Sequence, residues 1–455
     1  MSLKLSFLGG AGTVTGSKYM LQHEASRILV DCGLFQGYKT LRLRNWAPPP
    51  VAPGSISAVV LTHAHLDHSG YLPLLVKNGF RGPIFCTAGT ADLCGILLPD
   101  SGHLQERDAA EANRHRFSKH NPALPLYTED DARKALEFLH PISFGQNVAL
   151  PGGARLHFVR AGHILGAASA LITWDGKRIA FSGDIGRYDD PLMLDPETPA
   201  PADYLLMEST YGDRLHDRTD VEDVLARIIG RTIHRGGSVI VPAFAVGRAQ
   251  SLLFHIARLK AAGRLPKLLP VFLDSPMAID ATDIFRRHAA DQKLDTAQLA
   301  MLGGDVHCVR TGEESKALTD NPVAKVIVSA SGMATGGRVL HHLERYAPDP
   351  KNAILFTGFQ AGGTRGAAMV AGAQSIKMYG HYIAVGAEIH NLSMLSAHAD
   401  QNELLRWASG FQLAPRTTFI VHGEPQGADA LRHALDEKFH WNCLVPDHGQ
   451  DVVLP

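Results

Sequence analysis

Six consecutive residues concentrate metal-binding chemistry near the start of the chain. The stretch 63–68 reads His-Ala-His-Leu-Asp-His and directly follows an apolar run typical of a strand. Imidazole and carboxylate groups are the ligands that borderline and hard divalent metals take at neutral pH. On an extended backbone, His63 and His65 project to the same side, and Asp67 and His68 follow where a helix should begin. This spacing favours a metal site over a polar turn, although the chain holds 24 histidines.

Three further candidate ligands each follow a predicted strand. His163, Asp184 and His422 come directly after apolar runs, and glycines flank each of them. Any one of these residues alone is more often structural or solvated than a metal ligand. Together they supply what a dinuclear site requires. A carboxylate such as Asp184 can bridge two cations, which a neutral imidazole cannot.

Composition bounds the class of protein that must position these groups. With 455 residues, two domains are expected. The net charge of −1 offers no global argument for nucleic-acid binding, so any basic surface must be local. The five cysteines are scattered without Cys-x-x-Cys spacing, which predicts reduced thiols. No leader-like segment and no apolar run long enough to cross a membrane is seen, so a cytoplasmic protein is expected.

Short apolar runs separated by Gly, Pro and Asp predict strands over the first two hundred residues. The predicted strands are 3–8, 27–31, 57–62, 83–86, 154–159, 168–174, 178–182 and 203–207, with helices near 88–98 and 129–139. From Thr219 a predicted capping box with Glu222 opens a helix, and strands then alternate with helices to about residue 390. That alternation is typical of a parallel sheet. A last strand is predicted at 417–421.

These candidate ligands, with Asp31 at the end of an early strand, resemble those of the metallo-β-lactamase superfamily. Glu208, His398 and His422 resemble the three motifs of its β-CASP branch, which includes the cleavage and polyadenylation specificity factor nuclease and bacterial relatives. The resemblance implies an α/β fold, in which an αββα metallo-β-lactamase domain carries an inserted β-CASP domain with a parallel sheet flanked by helices. The implied bounds are 1–208 and 391–455 for the first domain and 209–390 for the insertion.

The resemblance also implies roles for the site residues. It implies two Zn²⁺ ions, with Mn²⁺ or Fe as alternatives. One ion would take His63, His65, His163 and Asp184, and the other Asp67, His68, Asp184 and His422. Asp31 would orient a ligand. A hydroxide bridging the metals would attack phosphorus, with Asp67 among the catalytic groups and His398, polarised by Glu208, as general acid. An ordinary ion pair is the alternative for Glu208 and His398.

Three Gly-rich turns in the inserted half are candidate phosphate contacts. They lie at 242–248, 329–338 and 356–366, each after a predicted strand, and none matches the P-loop pattern. Backbone N–H groups at such a turn and a nearby arginine suit a phosphate. The predicted substrate contacts are Arg248, Ser331, Gly332, Arg338 and Arg365. Tight turns without a ligand, and arginines at the surface or in ion pairs, are the alternatives.

The leading hypothesis is a zinc-dependent ribonuclease that cuts single-stranded RNA, as an endonuclease, a 5′-exonuclease or both. By the resemblance, a histidine at position 422 goes with RNA-processing members, whereas DNA-repair members carry an apolar residue there. A DNA nuclease of the same fold and a small-molecule ester or thioester hydrolase are the alternatives. No appended RNA-binding module or basic tail is seen, so modest RNA affinity, a protein partner or a homo-oligomer stays open.

Overall fold

The computed structural model describes residues 2–116 and 118–455, and the chain divides into two compact units. The first unit comprises residues up to Leu215 together with His398–Pro455, and the second comprises His216–Ala397. The domain bounds expected from the resemblance, 208/209 and 390/391, lie a few residues before these division points. The first unit is therefore assembled from both ends of the chain.

The strands are short, and those of the second unit are β12 to β19. In chain order they are β1 Leu3–Gly9, β2 Lys18–His23, β3 Ser26–Val30, β4 Ala58–Val60, β5 Ile84–Thr87, β6 Leu139–Ile142, β7 Asn147–Ala149, β8 Arg155–Arg160, β9 Ala168–Trp174, β10 Lys177–Phe181, β11 Tyr204–Glu208, β12 Val239–Pro242, β13 Val271–Asp274, β14 Val306–Cys308, β15 Val326–Ser329, β16 Ala353–Phe356, β17 Ser375–Met378, β18 His381–Ala384, β19 Glu388–Asn391, β20 Thr417–Val421, β21 Cys443–Leu444 and β22 Asp451–Leu454.

The helices range from one turn to eight turns. In chain order they are α1 Lys39–Arg44, α2 Leu66–Ser69, α3 Leu72–Lys77, α4 Ala88–His115, α5 Glu129–Leu136, α6 Val221–His234, α7 Arg248–Ala261, α8 Pro276–Arg287, α9 Thr296–Met301, α10 Gly312–Asp320, α11 Val339–Tyr346, α12 Arg365–Val370, α13 Gln401–Ala408 and α14 Pro425–Phe439. In the described ranges, no helix is long and apolar enough to cross a membrane.

Two seven-stranded sheets form the centre of the first unit. Their strand orders are β22-β1-β2-β3-β4-β5-β6 and β21-β20-β11-β10-β9-β8-β7. Successive residues of a strand point to opposite faces of its sheet, so both faces can be buried when a strand is apolar throughout. In β10, Ile179 and Phe181 join the core between the sheets, whereas Ala180 joins a second core under α13 and α14. The predicted αββα layering is thereby confirmed.

The second unit is built on a six-stranded sheet with the order β14-β13-β15-β12-β16-β19, in which every pairing is parallel. Val239 and Val241 of β12 contribute to the core shared with α6, α7 and α8 on one face. Ile240 points to the other face and joins a core with α11 and the β17–β18 hairpin. The parallel α/β unit expected from the alternation of strands and helices is confirmed.

Two local predictions are wrong in detail. The helix predicted near 88–98 continues to His115 through Pro99, because Gly102 lets α4 pack closely against the start of α5. The capping box predicted at Thr219 and Glu222 does not form, and the helix begins one residue later than that box implies. Asp220 is the N-cap and accepts the N–H of Asp223 at 2.9 Å. An aspartate next to a threonine competes for the cap, and the sequence pattern alone does not choose between them.

Candidate metal centre

The candidate ligands lie together because their strands end at the same edge. Within one sheet β10, β11 and β20 are parallel neighbours, and in the other β3 and β4 are parallel. Each of the residues in question follows the carboxyl end of a strand, where loops and ligands collect in such sheets. They are Asp31 after β3, His63 after β4, His163 after β8, Asp184 after β10 and His422 after β20.

The first donor set contains His63, His65, His163 and Asp184, and it matches a tetrahedral site. Zinc–ligand bonds of about 2.0–2.1 Å place tetrahedral ligand atoms about 3.3 Å apart. His65 Nδ1 lies 3.2 Å from His63 Nε2 and 3.1 Å from His163 Nε2. Asp184 Oδ2 lies 3.3 Å from His63 Nε2 and 3.6 Å from His163 Nε2. The four atoms therefore have the spacing expected of ligands to one zinc ion.

The second donor set contains Asp67, His68 and His422. His422 Nε2 lies 3.5 Å from Asp67 Oδ2, and His68 Nε2 lies 3.2 Å from Asp184 Oδ1. The other ring nitrogen of His422 is 3.5 Å from the same Asp184 oxygen. Asp184 thus presents Oδ2 to the first set and Oδ1 to the second, which suits a bridging carboxylate.

Asp31 and Thr62 orient His68 and His63 by contacting the ring nitrogens that face away from the donor sets. Asp31 Oδ2 accepts a hydrogen bond from His68 Nδ1 at 2.8 Å, so the other ring nitrogen faces Asp184. Asp31 is itself held by the backbone N–H of Thr62 at 2.8 Å and by its hydroxyl at 3.0 Å. The Thr62 hydroxyl also lies 3.2 Å from His63 Nδ1. Such outer partners fix the tautomer and direction of a metal-binding imidazole.

The two donor sets place their histidines in different electrostatic surroundings. Burial and the neighbouring His63 lower the pKa of His65 to about 3, and burial with His398 lowers that of His163 well below its usual value. Burial opposes a charge on His68 as well, but Asp184 and Asp31 raise the pKa of that imidazole. Neutral imidazole is the form that binds a metal. The surroundings of the first set therefore favour neutral imidazole more than those of the second.

Two buried polar atoms of the donor sets have no hydrogen bond within the described chain. These atoms are Asp184 Oδ1 and His422 Nε2. Leaving such atoms unsatisfied costs about 1–3 kcal/mol each, so clusters of them call for a partner that the protein chain does not supply. The converging lone pairs and the ligand-like spacing fit divalent metal ions, and imidazole with carboxylate suits zinc.

Glu208 and His398 form a third group with Asp184. Glu208 is the last residue of β11 and is fully buried, and its Oε1 lies 3.2 Å from His398 Nδ1. The same carboxylate accepts the backbone N–H of Ile185 at 2.6 Å and that of Thr210 at 3.3 Å. His398 Nε2 lies 4.0 Å from Asp184 Oδ2, so this nitrogen faces the donor sets.

Most of the residues predicted to contact substrate lie in the turns of the second unit. The three Gly-rich turns precede α7, α11 and α12. Arg248 is the buried first residue of α7. The Ser331 hydroxyl accepts the N–H of Thr335 at 3.2 Å, and a Cβ at Gly332 would lie 2.5 Å from the ring of Phe244. The small size of Gly332 therefore has a packing reason as well.

The two arginines of the later turns are engaged within the second unit. Arg338 donates to Asp274 Oδ1 at 2.7 Å and to the carbonyl of Val309 at 3.1 Å. Arg365 donates to the carbonyls of Lys377 at 2.7 Å and Thr335 at 3.0 Å. These contacts give both side chains a structural role, and their contact with substrate stays a prediction.

Two residues that the sequence analysis did not select belong to the site. Thr62 holds both Asp31 and His63, as described above, and the hydroxyl of Thr210 lies 3.2 Å from His422 Nδ1. Both are hydroxyl residues near a motif, Thr62 directly before His63 and Thr210 two residues after Glu208. Their role depends on strand pairing that brings distant segments together, so the local sequence gave only this weak signal.

Comparison with known proteins agrees with this architecture. Residues 11–222 match the metallo-beta-lactamase superfamily, and residues 249–369 match the Beta-Casp domain. Residues 382–446 match a domain described as the Zn-dependent metallo-hydrolase RNA specificity domain. That last segment includes His398 and His422, which the first unit brings to the metal centre.

Individual relatives extend along nearly the whole chain. Ribonuclease TTHA0252 of Thermus thermophilus is 37% identical over 98% of this chain and 96% of its own length. Transcription termination factor FttA of Methanocaldococcus jannaschii is 31% identical over 98% of this chain and 70% of its own length. A solved protein of unknown function from Enterococcus faecalis shares the fold at 14% identity, with a TM-score of 0.54 and full coverage of both chains. The chain is a metal-dependent hydrolase and belongs to the β-CASP family of the metallo-β-lactamase superfamily.

Proposed function

We propose that the protein hydrolyses phosphodiester bonds of single-stranded RNA at a centre of two divalent metals, with zinc as the favoured metal. The observation that carries this proposal is the position of Asp184. Its two oxygens face separate donor sets, and the His398–Glu208 pair lies beside it. This arrangement supports in-line displacement at a phosphate held across both sites.

The side chains around the donor sets have different roles in the proposed reaction. When bound, the two ions supply Lewis-acid stabilisation of charge at phosphorus and lower the pKa of water. Asp184 holds the two sets in register, and Asp31 and Thr62 keep the imidazoles aimed at them. Asp67 belongs to the more exposed edge of the second set, with about a fifth of its side chain accessible to solvent. That edge is where a phosphodiester can approach.

His398 is placed to protonate the leaving oxygen. Its Nδ1–H donates to Glu208, which leaves Nε2 pointing toward Asp184. A proton on Nε2 makes the ring an imidazolium, and the buried Glu208 carboxylate stabilises that cation. His398 is partly exposed, with 15% of its side chain accessible, so substrate can reach it. Transfer of the Nε2 proton releases the ribose oxygen as a hydroxyl and returns a neutral imidazole.

Two observations support RNA as the substrate. The segment 382–446 matches an RNA specificity domain, and one near full-length relative is named a ribonuclease. His422 lies in the second donor set, where the resemblance associates a histidine with RNA-processing members. Contacts from Arg248, Ser331, Gly332, Arg338 and Arg365 to the RNA backbone belong to the same proposal.

A paired cleavage assay tests the proposal. Zinc-loaded protein is incubated with end-labelled single-stranded RNA and DNA of one sequence, and the Asp67→Ala/His68→Ala protein serves as the control. We expect RNA cleavage that disappears in the control, and the fragment lengths then separate endonuclease from 5′-exonuclease action. Cleavage of DNA with intact RNA contradicts the proposal in favour of a DNA nuclease. If metal-replete protein cuts neither strand, an ester or thioester hydrolase becomes the better hypothesis.

A further inference from the structure

An exposed basic segment leaves the metal centre directly after the Asp31 turn. Residues 34–46 contain no aspartate or glutamate, and Lys39, Arg42 and Arg44 are all exposed on α1, which buries none of its residues. Tyr38 and Trp46 flank this helix and are 55% and 57% exposed. We call residues 34–46, with Lys18 and His448, the basic platform. Cations interleaved with exposed aromatic rings are typical of surfaces that bind single-stranded nucleic acid.

Hydrogen bonds fix the basic platform to the metal-binding stretch. Leu34 N–H donates to the carbonyl of Leu66 at 2.8 Å, and Cys32 N–H donates to that of His68 at 2.6 Å. A Cβ on Gly33 would lie 1.6 Å from the carbonyl oxygen of Asp67, so only glycine allows this approach. The platform therefore begins where Asp67 and His68 enter the second donor set.

A buried asparagine closes the segment into a rigid loop. The Asn45 side chain accepts the N–H of Phe35 at 2.9 Å and donates to the carbonyl of the same residue at 2.8 Å. Phe35 is buried beneath, so the two ends of the segment are tied together around its ring. Because the backbone is held in this way, the positions of the helix cations are preorganised.

Two cations and an imidazole ring surround the ring of Phe35 at the base of the platform. Lys18 Nζ lies 4.8 Å from the ring centroid, Arg44 Cζ lies 5.4 Å from it, and the His448 ring is 5.9 Å away. Burial lowers the pKa of Lys18 to about 8, and burial with Arg44 and Lys18 lowers that of His448. Cation–π contacts stabilise such charges only in part.

No carboxylate neutralises this charge. The platform has four lysine and arginine side chains, which are Lys18, Lys39, Arg42 and Arg44. Across residues 2–116 and 118–455, none of them forms an ion pair. The chain as a whole carries a net charge of −1, so this local excess is not a general property of its surface. Like charges at close range repel, and a polyanion that binds across them relieves that repulsion.

We propose that the basic platform binds the backbone of single-stranded RNA beside the metal centre, with Tyr38 and Trp46 stacking on its bases. The inference rests on the proposed function and names a contact surface for that same site. Phosphates bind Lys39, Arg42 and Arg44, and the rigid connection to Leu66 and His68 sets the distance between bound nucleotides and the donor sets.

Binding can be measured separately from cleavage. Fluorescence anisotropy with a labelled 20-nucleotide RNA is followed between 50 and 200 mM KCl, in a His398→Ala background that keeps the metal ligands. The platform variant is Lys39→Gln/Arg42→Gln/Arg44→Gln. The matched control removes three exposed cations elsewhere in the first unit, Arg107→Gln/Arg114→Gln/Lys438→Gln. Metal content and melting temperature verify that each protein is folded.

We expect the platform variant to bind RNA about tenfold or more weakly, with a salt slope shallower by roughly 2, since each phosphate contact on a single strand contributes about 0.7. The control should bind like its parent. Equal affinity and slope in both triple variants would overturn the proposal. Competition by poly-glutamate as effective as that by RNA of equal charge would also overturn it. RNA that binds the platform but is not cut by the active protein counts against the proposed function alone.

Tryptophan fluorescence tests the stacking contact. Trp46 is 57% exposed, whereas Trp174, Trp407 and Trp441 are 2%, 0% and 6% exposed. Addition of poly(U) should quench the emission of the parent protein, and Trp46→Phe should remove that quenching while Trp441→Phe retains it. Quenching that persists in Trp46→Phe would contradict stacking at this residue.

Discussion

Each compact unit has a buried aspartate that contacts histidines at the end of a strand, but one belongs to a candidate metal centre and the other to a structural cluster. Asp184 follows β10 in the first unit, and Asp274 ends β13 in the second. Both are essentially inaccessible to solvent, at 1% and 0%. His342 Nε2 lies 2.7 Å from Asp274 Oδ2, closer than any histidine nitrogen lies to Asp184. Proximity of His and Asp therefore does not separate a metal centre from a structural cluster.

The supply of hydrogen-bond donors makes the difference. Asp274 receives Arg338, His342 and the Ser315 hydroxyl, and the second nitrogen of His342 lies 3.0 Å from the Thr319 hydroxyl. Every polar atom there has a partner. Around Asp184, in contrast, lone pairs of several imidazoles converge and one carboxylate oxygen has no hydrogen bond in the described chain. The metal centre is thus distinguished from the structural cluster by acceptor lone pairs that lack hydrogen-bond donors.

The largest effect is expected from Asp184→Ala. Loss of the shared carboxylate removes a ligand from both donor sets, so we expect both metals to be lost. The several kcal/mol by which the metals stabilise the transition state are then lost as well. Turnover should fall roughly a thousandfold or more. Metal analysis together with RNA cleavage checks this, and Asp274→Ala should keep full metal content. Retention of both metals in Asp184→Ala would contradict the bridging assignment.

His398→Ala should separate catalysis from metal binding. A general acid contributes about 10²- to 10⁴-fold, so kcat should fall by that factor while metal content stays complete. His422→Ala is the comparison, because the loss of a donor from the second set should lower metal content. If His398→Ala loses a metal instead, its role as an acid is wrong and it is a ligand.

Asp274→Ala should destabilise the second unit. Removing one partner of a buried ion pair leaves Arg338 and His342 without their acceptor and costs about 3 kcal/mol. Denaturant unfolding measures the change. The matched control is Asp280→Ala, whose exposed pair with Arg310 should contribute less than about 1 kcal/mol. Equal losses in the two variants would mean that Asp274 is no more important than a surface charge.

Asp31→Asn should weaken metal binding without removing a ligand. Asp31 fixes His68 through a 2.8 Å contact, and loss of such an outer partner lowers metal affinity about 10- to 100-fold. Competition with a chelator measures the affinity. Unchanged affinity would show that His68 is oriented by its other contacts, while a complete loss of metal would point to direct ligation by Asp31.

The smallest effect is the pH dependence of the Asp274 contribution. Burial opposes ionisation, but hydrogen bonds from His342, Ser315 and Arg338 lower the pKa of Asp274. A folded-state pKa below the unfolded value of about 3.9 stabilises the fold fully above that pH, and the stabilisation is lost as pH falls toward the folded-state pKa. The difference in melting temperature between wild type and Asp274→Ala should therefore shrink below about pH 4. A constant difference would contradict the ion-pair assignment.

Much of the fold could be predicted because it depends on local patterns. The strand at 417–421 was predicted with the observed bounds, and the parallel sheet of the second unit was predicted from the alternation of strands and helices after residue 219. The end of α4 and the cap of α6 were missed. Pro99 predicts an early stop, and only packing against α5 explains why the helix continues. The exposure of α1 was likewise not evident, since the composition of this segment does not say which of its residues face solvent.

The sequence by itself determined the identities of the candidate metal ligands, because residue type sets ligand chemistry and the short spacing of the 63–68 stretch sets its direction. The tertiary structure decided which of these groups lie within ligand distance of one another. Asp184 meets His422 across 238 residues only because β10, β11 and β20 pair in parallel and end at one edge. No local sequence pattern predicts this pairing, because contacts between distant segments depend on the order of strands in the sheet and on the packing that selects that order.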